Sequence, residues 1–515
     1  MLLPQLEAQI HAHIVKSPSP HLLNSAIRSA AHSANPETAL HVFNHLFRRS
    51  VPHDHFSFTF AVKACCSLLR RHSHAAAKGR EIHARALKSG LCADIFLQNS
   101  LVSLYATSGD VDSASSVFSG ITFPDVVSWT SFIAGLARNG RLAEAIAVFS
   151  RMDLEPNPVT LVAVLSACSR LGALQLGKAI HGHRLRTSHG ARNLILDNAI
   201  LDMYMRCSAP NSARHMFAKM TQRDVFSWTT AISGYTRNGR PDEAISIFRA
   251  MVQHGEAVPN EATLVSVLGA CASMAALSSG KWVHSYMDMA GVGVEGHAGN
   301  ALMNMYAKCG DMASALEVFH GLPGKDLTAW CTLLGGMALN GLGKHAIELF
   351  SLMIRHGVQP DGVAFLAVLS ACQHAGLVDQ GLLFLSAMGR ASCVSPEQQH
   401  YGCVADMLGR AGMLEEAEAF AAEIMPTGLD SAVRSALLNA CKIHCPEAKG
   451  CERLVDGGLP AGGGTYALLC NAFAGAGDWS LAVGAREAMR RKGVKKAAGC
   501  SWLDPPLEQP TARRV

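Results

Sequence analysis

Along residues 125–157 the apolar positions return at i, i+3, i+4 and i+7: Trp129, Phe132, Ile133 and Leu136 mark one face of a helix. Asn139-Gly140 breaks that stripe, and a second one, Leu142, Ala145, Ile146 and Phe149, follows at once. The pattern predicts two antiparallel helices joined by a short turn, with a glycine ending the first. Gly109, Gly239, Gly310, Gly341 and Gly412 hold the same place in other stretches. Ala114, Ala145, Ala213, Ala244, Ala315, Ala346 and Ala417 mark where the second helix comes close to a neighbour, so that a larger side chain would clash.

The pattern repeats as text. DVVSWTSFIAGLARNGRLAEAIAVF (125–149) returns as DVFSWTTAISGYTRNGRPDEAISIF (224–248) and DLTAWCTLLGGMALNGLGKHAIELF (326–350). Between them stand NSLVSLYATSGDVDSASSVF (99–118), NAILDMYMRCSAPNSARHMF (198–217) and NALMNMYAKCGDMASALEVF (300–319). A third kind precedes those, TLVAVLSACSRLGALQLGKAIHG (160–182) and TLVSVLGACASMAALSSGKWVHS (263–285). Self-similarity at this period predicts an all-α superhelix rather than one compact catalytic core. A lone hairpin cannot bury its apolar face; stacking does so, and function is then expected in the groove that stacking leaves. The recurring Trp, Met and Tyr residues lie on the apolar stripe and are expected to pack.

Composition narrows the chemistry. Lys and Arg number 45 against 40 Asp and Glu, a formal net charge of +5, so a grip on nucleic acid cannot rest on a broad basic field and has to involve the bases. The 16 cysteines fall in apolar helical text such as SAC (166–168), GAC (269–271) and SAC (370–372), as buried reduced thiols do. There is no C-x-x-C, and the group Cys441, His444, Cys445 and Cys451 lacks zinc-finger spacing, so neither metal nor cofactor is expected. No apolar run approaches the roughly 18–20 residues needed to span a bilayer, and a soluble chain is expected.

One polar pattern recurs beside the stripe. Asn or Thr follows the fourth position of the units, and Asp or Asn closes the unit just before the next begins. Across a unit boundary these two positions would lie close together. A short side chain with donor and acceptor, set beside a carboxylate or amide, can address the Watson–Crick edge of an unstacked base. The alternative is that Asp125, Asp224 and Asn260 are helix N-caps. Capping accounts for the closing position but not for Asn99, Asn198 and Asn300 inside helices, where Asn is a poor helix former.

With these residues in view, the chain resembles plant pentatricopeptide-repeat proteins of the PLS subclass, E type. The resemblance implies a right-handed superhelical solenoid of antiparallel helix-turn-helix repeats. It divides the chain into a partial L-like repeat (1–19), alternating P, L and S repeats (20–361), an L2–S2 pair (362–430), E1 (431–464) and E2 (465–503) motifs and a tail (504–515). The S units are 95–125, 194–224 and 296–326, the P units 126–157, 225–260 and 327–361, and the L units 55–94, 158–193 and 261–295, with a P-like unit at 20–54. In that family the fifth and last residues of a unit choose a base. Asn24/Asp54, Asn99/Asp125, Asn198/Asp224 and Asn300/Asp326 then imply U, Thr130/Asn157 and Thr229/Asn260 imply A, and Thr59/Asp94 implies G. Cys331/Asp361 departs from the code, and Val162/Asn193 and Val265/Glu295 offer no pair. The implied footprint is 5′-U-(G)-U-A-n-U-A-n-U-n-n-n-3′. The second-position residues Phe96, Val127, Ile195 and Phe226 resemble those that sandwich bases, with packing as the alternative.

GVAFLAVLSACQHAGLVDQG (362–381), HYGCVADMLGRAGMLEEAEAF (400–420), SAVRSALLNACKIH (431–444) and the text from TYALLCNAFAGAGDW (465–479) to GCSW (499–502) resemble the terminal motifs of organellar C-to-U RNA editing factors. Relatives that continue into a zinc deaminase use H-x-E and C-x-x-C. Here His254-Gly255-Glu256 lies inside a repeat and no C-x-x-C is present, so no enzyme activity is expected. The resemblance implies a monomeric adaptor for single-stranded organellar RNA that works with a DYW-type deaminase in trans and with multiple organellar RNA editing factor proteins. It implies no membrane partner. The address would be mitochondrion, ahead of chloroplast, with no clear transit peptide legible. Arg490, Arg491, Lys492, Lys495 and Lys496 would touch phosphate or a partner, or simply close a helix. A stabilisation, splicing or translation factor, or a tetratricopeptide-like protein scaffold, are the competing readings.

Overall fold

The structure, a computed structural model, describes residues 20–31, 36–48, 54–69, 74–187, 193–293, 296–391, 394–424, 433, 436–440, 463–475 and 477–494. The segment 1–19, most of the E1 span, the metal-like group at 441–451, Lys495, Lys496, Trp502 and the tail lie outside them. Among the described residues every regular element is an α-helix, as the 3.6-residue stripes require.

The chain divides into two units, Met1–Gly234 and Tyr235–Val515. In the first, Pro20–Ala31 pairs with Glu37–Arg48, His55–Leu68 with Ala75–Lys88, and Ile95–Thr107 with Val111–Ser119. Val126–Arg138 then pairs with Leu142–Ser150, Pro158–Leu171 with Leu174–Thr187, and Leu194–Arg206 with Pro210–Lys219. Helix Val225–Arg237 carries the division. In the second unit Pro241–His254 leads to the pairs Glu261–Met274 with Leu277–Met289, Gly296–Lys308 with Met312–Gly321, and Leu327–Leu339 with Gly343–Arg355. Gly362–Ala375 with Val378–Ala391, Gln398–Arg410 with Leu414–Ile424, and Gly463–Gly475 with Trp479–Arg491 follow.

Within each unit the first helices of successive repeat hairpins pack on one another, and each second helix is wedged between its own first helix and the next. That layering places the core. Phe132, Ile133 and Leu136 are buried, as are Tyr105, Tyr204, Tyr306, Met203 and Met305. Of the recurring tryptophans, Trp228 and Trp330 are buried and Trp129 half-buried. Each meets the phenylalanine that ends the preceding second helix edge-on, Phe118, Phe217 and Phe319, with ring centroids 5.0, 5.0 and 4.9 Å apart. The seven alanines singled out by spacing are all fully buried.

The turns have the expected chemistry. Gly109, Gly140, Gly239, Gly310, Gly341 and Gly412 all take φ between 70° and 85°, a left-handed conformation open to glycine at little cost. Asn139, just before Gly140, donates from Nδ2 to the carbonyls of Ala106 (2.7 Å) and Gly135 (2.8 Å), tying two neighbouring first helices together. Asn340 does the same with Ala307 and Gly336, at 2.8 Å each.

Candidate nucleic-acid interface

Nine of the first helices begin at the residue that closes the preceding repeat. Asp54, Asp94, Asp125, Asn157, Asn193, Asn260, Asp326 and Asp361 are N-caps, each accepting a backbone N–H three residues on. Asp224 does likewise, taking the Ser227 amide at 2.8 Å. Capping and pairing are not rivals, because the same carboxylates also meet the fifth residue of their own unit. Asn99 Nδ2 donates to Asp125 Oδ1 (3.2 Å), Asn198 Nδ2 to Asp224 Oδ1 (3.1 Å) and Asn24 Nδ2 to Asp54 Oδ2 (2.7 Å).

A hydroxyl two residues into the following helix locks the cluster. Ser128 Oγ donates to Asp125 Oδ1 at 2.8 Å, and Ser57 and Ser227 hydroxyls donate to the Asn24 and Asn198 side-chain oxygens at 2.8 and 2.6 Å. Burial pushes the Asp54, Asp125 and Asp224 carboxyls up, but the serine and asparagine hydrogen bonds outweigh it and hold all three below their ordinary range. Among the described residues Oδ2 of Asp125 and Asp224 accepts no hydrogen bond, which leaves one carboxylate oxygen and one Asn hydrogen per site uncommitted. The Asn99 side-chain oxygen is buried without a partner.

The other pairs differ, each for a visible reason. Thr130 and Asn157 are bridged rather than touching: Thr160 Oγ1 lies 2.6 Å from Thr130 Oγ1 and donates to Asn157 Oδ1 at 2.9 Å. Asn300 and Asp326 lack the bridging hydroxyl because Ala329 stands where Ser128 and Ser227 stand elsewhere. A pocket of about 290 Å³ lies beside the pair, lined by Gly296, Asn300, Leu322, Gly324, Lys325 and Asp326, with the Asn300 side-chain oxygen buried and unpartnered. Thr59 and Asp94 are not joined. The Thr59 hydroxyl donates to its own helix at the His55 carbonyl (2.8 Å), and Asp94 Oδ2 lies 3.9 Å from His55 Nε2. Thr229 and Asn260 fall on opposite sides of the unit division, and Asn260 caps its helix in a capping box with Thr263.

The second-position residues lie at the surface. Phe96, Val127, Ile195 and Phe226 are 58, 54, 72 and 61% exposed, so they do not pack into the core. Phe56, Val159 and Val363 occupy the same place and are exposed too. The Phe56 and Phe96 rings of successive repeats stand 6.4 Å apart. Sequence reasoning missed those three, the bridging hydroxyls, and a row of exposed cations: Arg138, Arg170, Arg206, Arg237, Lys308 and Arg410, each ending its first helix. The signal was their constant place, thirteenth in the unit. His254-Gly255-Glu256 straddles a helix end where Gly255 turns left-handed. Among the described residues no group of metal-ligating side chains assembles, and no helix is long and apolar enough to cross a membrane.

Stacked hairpins that present a capped polar pair and an exposed apolar side chain at the start of successive first helices define a helical-repeat protein. Models of the PPR repeat match residues 123–153, 300–327 and 328–358, and one of the PPR repeat family matches 223–273. The Arabidopsis thaliana pentatricopeptide repeat-containing protein At4g38010 is 37% identical over 485 residues, which cover 93% of this chain and 86% of that protein. Another from the same plant, At1g15510, named chloroplastic, is 36% identical over 467 residues, covering 88% of this chain and 52% of its own length. The chain belongs to the pentatricopeptide-repeat family. Its fold resembles the crystal structure of the pentatricopeptide repeat protein PPR10 from maize, with a TM-score of 0.53 at 16% identity over 94% of this chain and 81% of that one.

Proposed function

We propose that this protein is a sequence-specific adaptor for single-stranded RNA that selects cytidines for C-to-U editing in organellar transcripts. The observation that carries RNA reading is the Asn–Asp pair held at a helix start beside an exposed apolar side chain, repeated along the chain. An Asn that has given one hydrogen to the carboxylate keeps a second for a uracil carbonyl, and the free Oδ2 of Asp125 and Asp224 can accept the uracil N3–H. Apolar side chains such as Phe96 and Ile195 offer faces on which an unstacked base can rest. The exposed cations closing the first helices offset phosphate charge that a net charge of +5 alone would not.

The expected footprint is 5′-U-(G)-U-A-n-U-A-n-U-n-n-n-3′. The editing assignment rests on the resemblance of residues 362–503 to the L2–S2, E1 and E2 motifs. A DYW-type deaminase acting in trans, with multiple organellar RNA editing factor proteins, would supply the chemistry. Sequencing of mitochondrial and plastid RNA from plants lacking the protein tests this. Loss of conversion at one or a few cytidines just downstream of the footprint is expected. Intact editing with a missing or unspliced transcript would overturn the editing role and keep RNA binding; no change in any RNA would overturn both.

A further inference from the structure

The unit 327–361 presents a pair unlike the rest. Cys331, in helix Leu327–Leu339, occupies the fifth position, and its thiol donates to Asp361 Oδ1 at 3.8 Å. The same oxygen accepts the Ala364 amide at 2.9 Å and so caps the next helix. Burial, and then the neighbouring Asp361, push the thiol up to about 12, so it keeps its proton at neutral pH. That single proton is already spent on the carboxylate. Where Asn leaves a second hydrogen free to donate, Cys331 leaves only a weak sulfur acceptor, and Asp361 leaves Oδ2.

We infer that Cys331 and Asp361 form an acceptor-only edge that selects guanine, making the tenth nucleotide of the footprint G, directly after the U read by Asn300 and Asp326. Guanine is the base with two adjacent donors on its Watson–Crick edge, N1–H and the N2 amino group, which suit Asp361 Oδ2 and Cys331 Sγ. Uracil offers one donor, N3–H, flanked by two carbonyl oxygens that would meet the same acceptors. Adenine and cytosine each offer one donor beside a ring-nitrogen acceptor. Val363, exposed at the start of the next helix, supplies an apolar face beside the slot. The inference rests on the RNA-reading function proposed above.

The test is fluorescence anisotropy of the full chain with four 12-nucleotide RNAs that differ only at the tenth position, and a second set altered at the first and fourth. With wild type, G is expected to bind at least about tenfold more tightly than U, the scale of one well-paired base contact. Asp361→Asn still caps the helix but exchanges the free acceptor for a donor, so the preference should move from G toward A. Cys331→Asn rebuilds an Asn–Asp pair and should move it to U. Sensitivity at the first and fourth positions together with indifference, or a preference for U, at the tenth would overturn this assignment alone. Indifference at every position would overturn it along with RNA reading.

Discussion

At the level of single residues, the proposed reading and the folding share atoms. Asp125 accepts the Ser128 backbone amide that starts a helix and the Asn99 side-chain amide. Converting Thr130→Asn together with Asn157→Asp should therefore move one base preference from A to U without changing the fold, since Asp caps as well as Asn; competition binding between RNAs differing at that nucleotide reads the outcome. Replacing Asn157 by Ala should instead cost about 1 kcal/mol through the lost cap, visible in urea unfolding. The hydrogen bonds that hold the Asp125 and Asp224 carboxyls below the ordinary 3.8 have a signed consequence. A lowered folded pKa gives stability that is fully present above the unfolded value and is lost as pH falls through the folded one. Melting temperature should accordingly fall below about pH 4, and the double variant Asp125→Asn, Asp224→Asn, which caps without titrating, should lose less over that interval.

At the level of helices, the closest approaches are made by small residues. A Cβ built on Gly135 would lie 2.5 Å from Ala106 Cβ, with no flexible atom to yield, whereas one on Gly177 would meet the adaptable Met203 side chain. Gly135→Ala should cost about 1–3 kcal/mol by overpacking and Gly177→Ala distinctly less, a ranking that thermal or urea unfolding can check. These contacts explain what sequence could convey. The buried alanines and the turn glycines stand at fixed intervals, and the physical reason for each residue type is local, so hairpins and their order were legible from periodicity. The exposure of Phe96 was not, because an apolar residue one place off a buried stripe looks the same whether it faces a neighbour or solvent. Ser128 and Ser227 were equally opaque: a hydroxyl recurs at the third place of several units, but near a helix start it reads as ordinary capping, and its role appears only when Asp125 and Asn99, or Asp224 and Asn198, are seen to converge on it. Thr59 and Asp94 show the converse, a pair legible in spacing whose hydroxyl turns back to its own helix.

For the molecule as a whole, the six cations at or beside the ends of first helices would set the electrostatics of the proposed RNA binding. Arg206 and Arg410 face Asp202 and Asp406; Arg138 and Arg170 donate to the Thr107 hydroxyl and the Ala137 carbonyl but meet no acid among the described residues, and with Arg237 and Lys308 they are the charges offered to phosphate. The logarithm of the binding constant should then fall with the logarithm of salt with a slope of roughly −3 for single-stranded RNA. A slope near zero would mean that these side chains do not meet the backbone, and restoring Asp202→Asn should steepen it. Affinity so weakly dependent on charge has to come from the bases, which brings the helix starts back into play. Because most closing residues also begin a helix, Asp, Asn, Ser and Thr are favoured there, while Glu295 and Glu397 close units as well. The fifth residue carries no such duty, as Cys331 in place of Asn illustrates. Drift toward a new transcript should therefore run mostly through that position, one letter at a time, with the solenoid's own stability acting as the spelling rule on its partner.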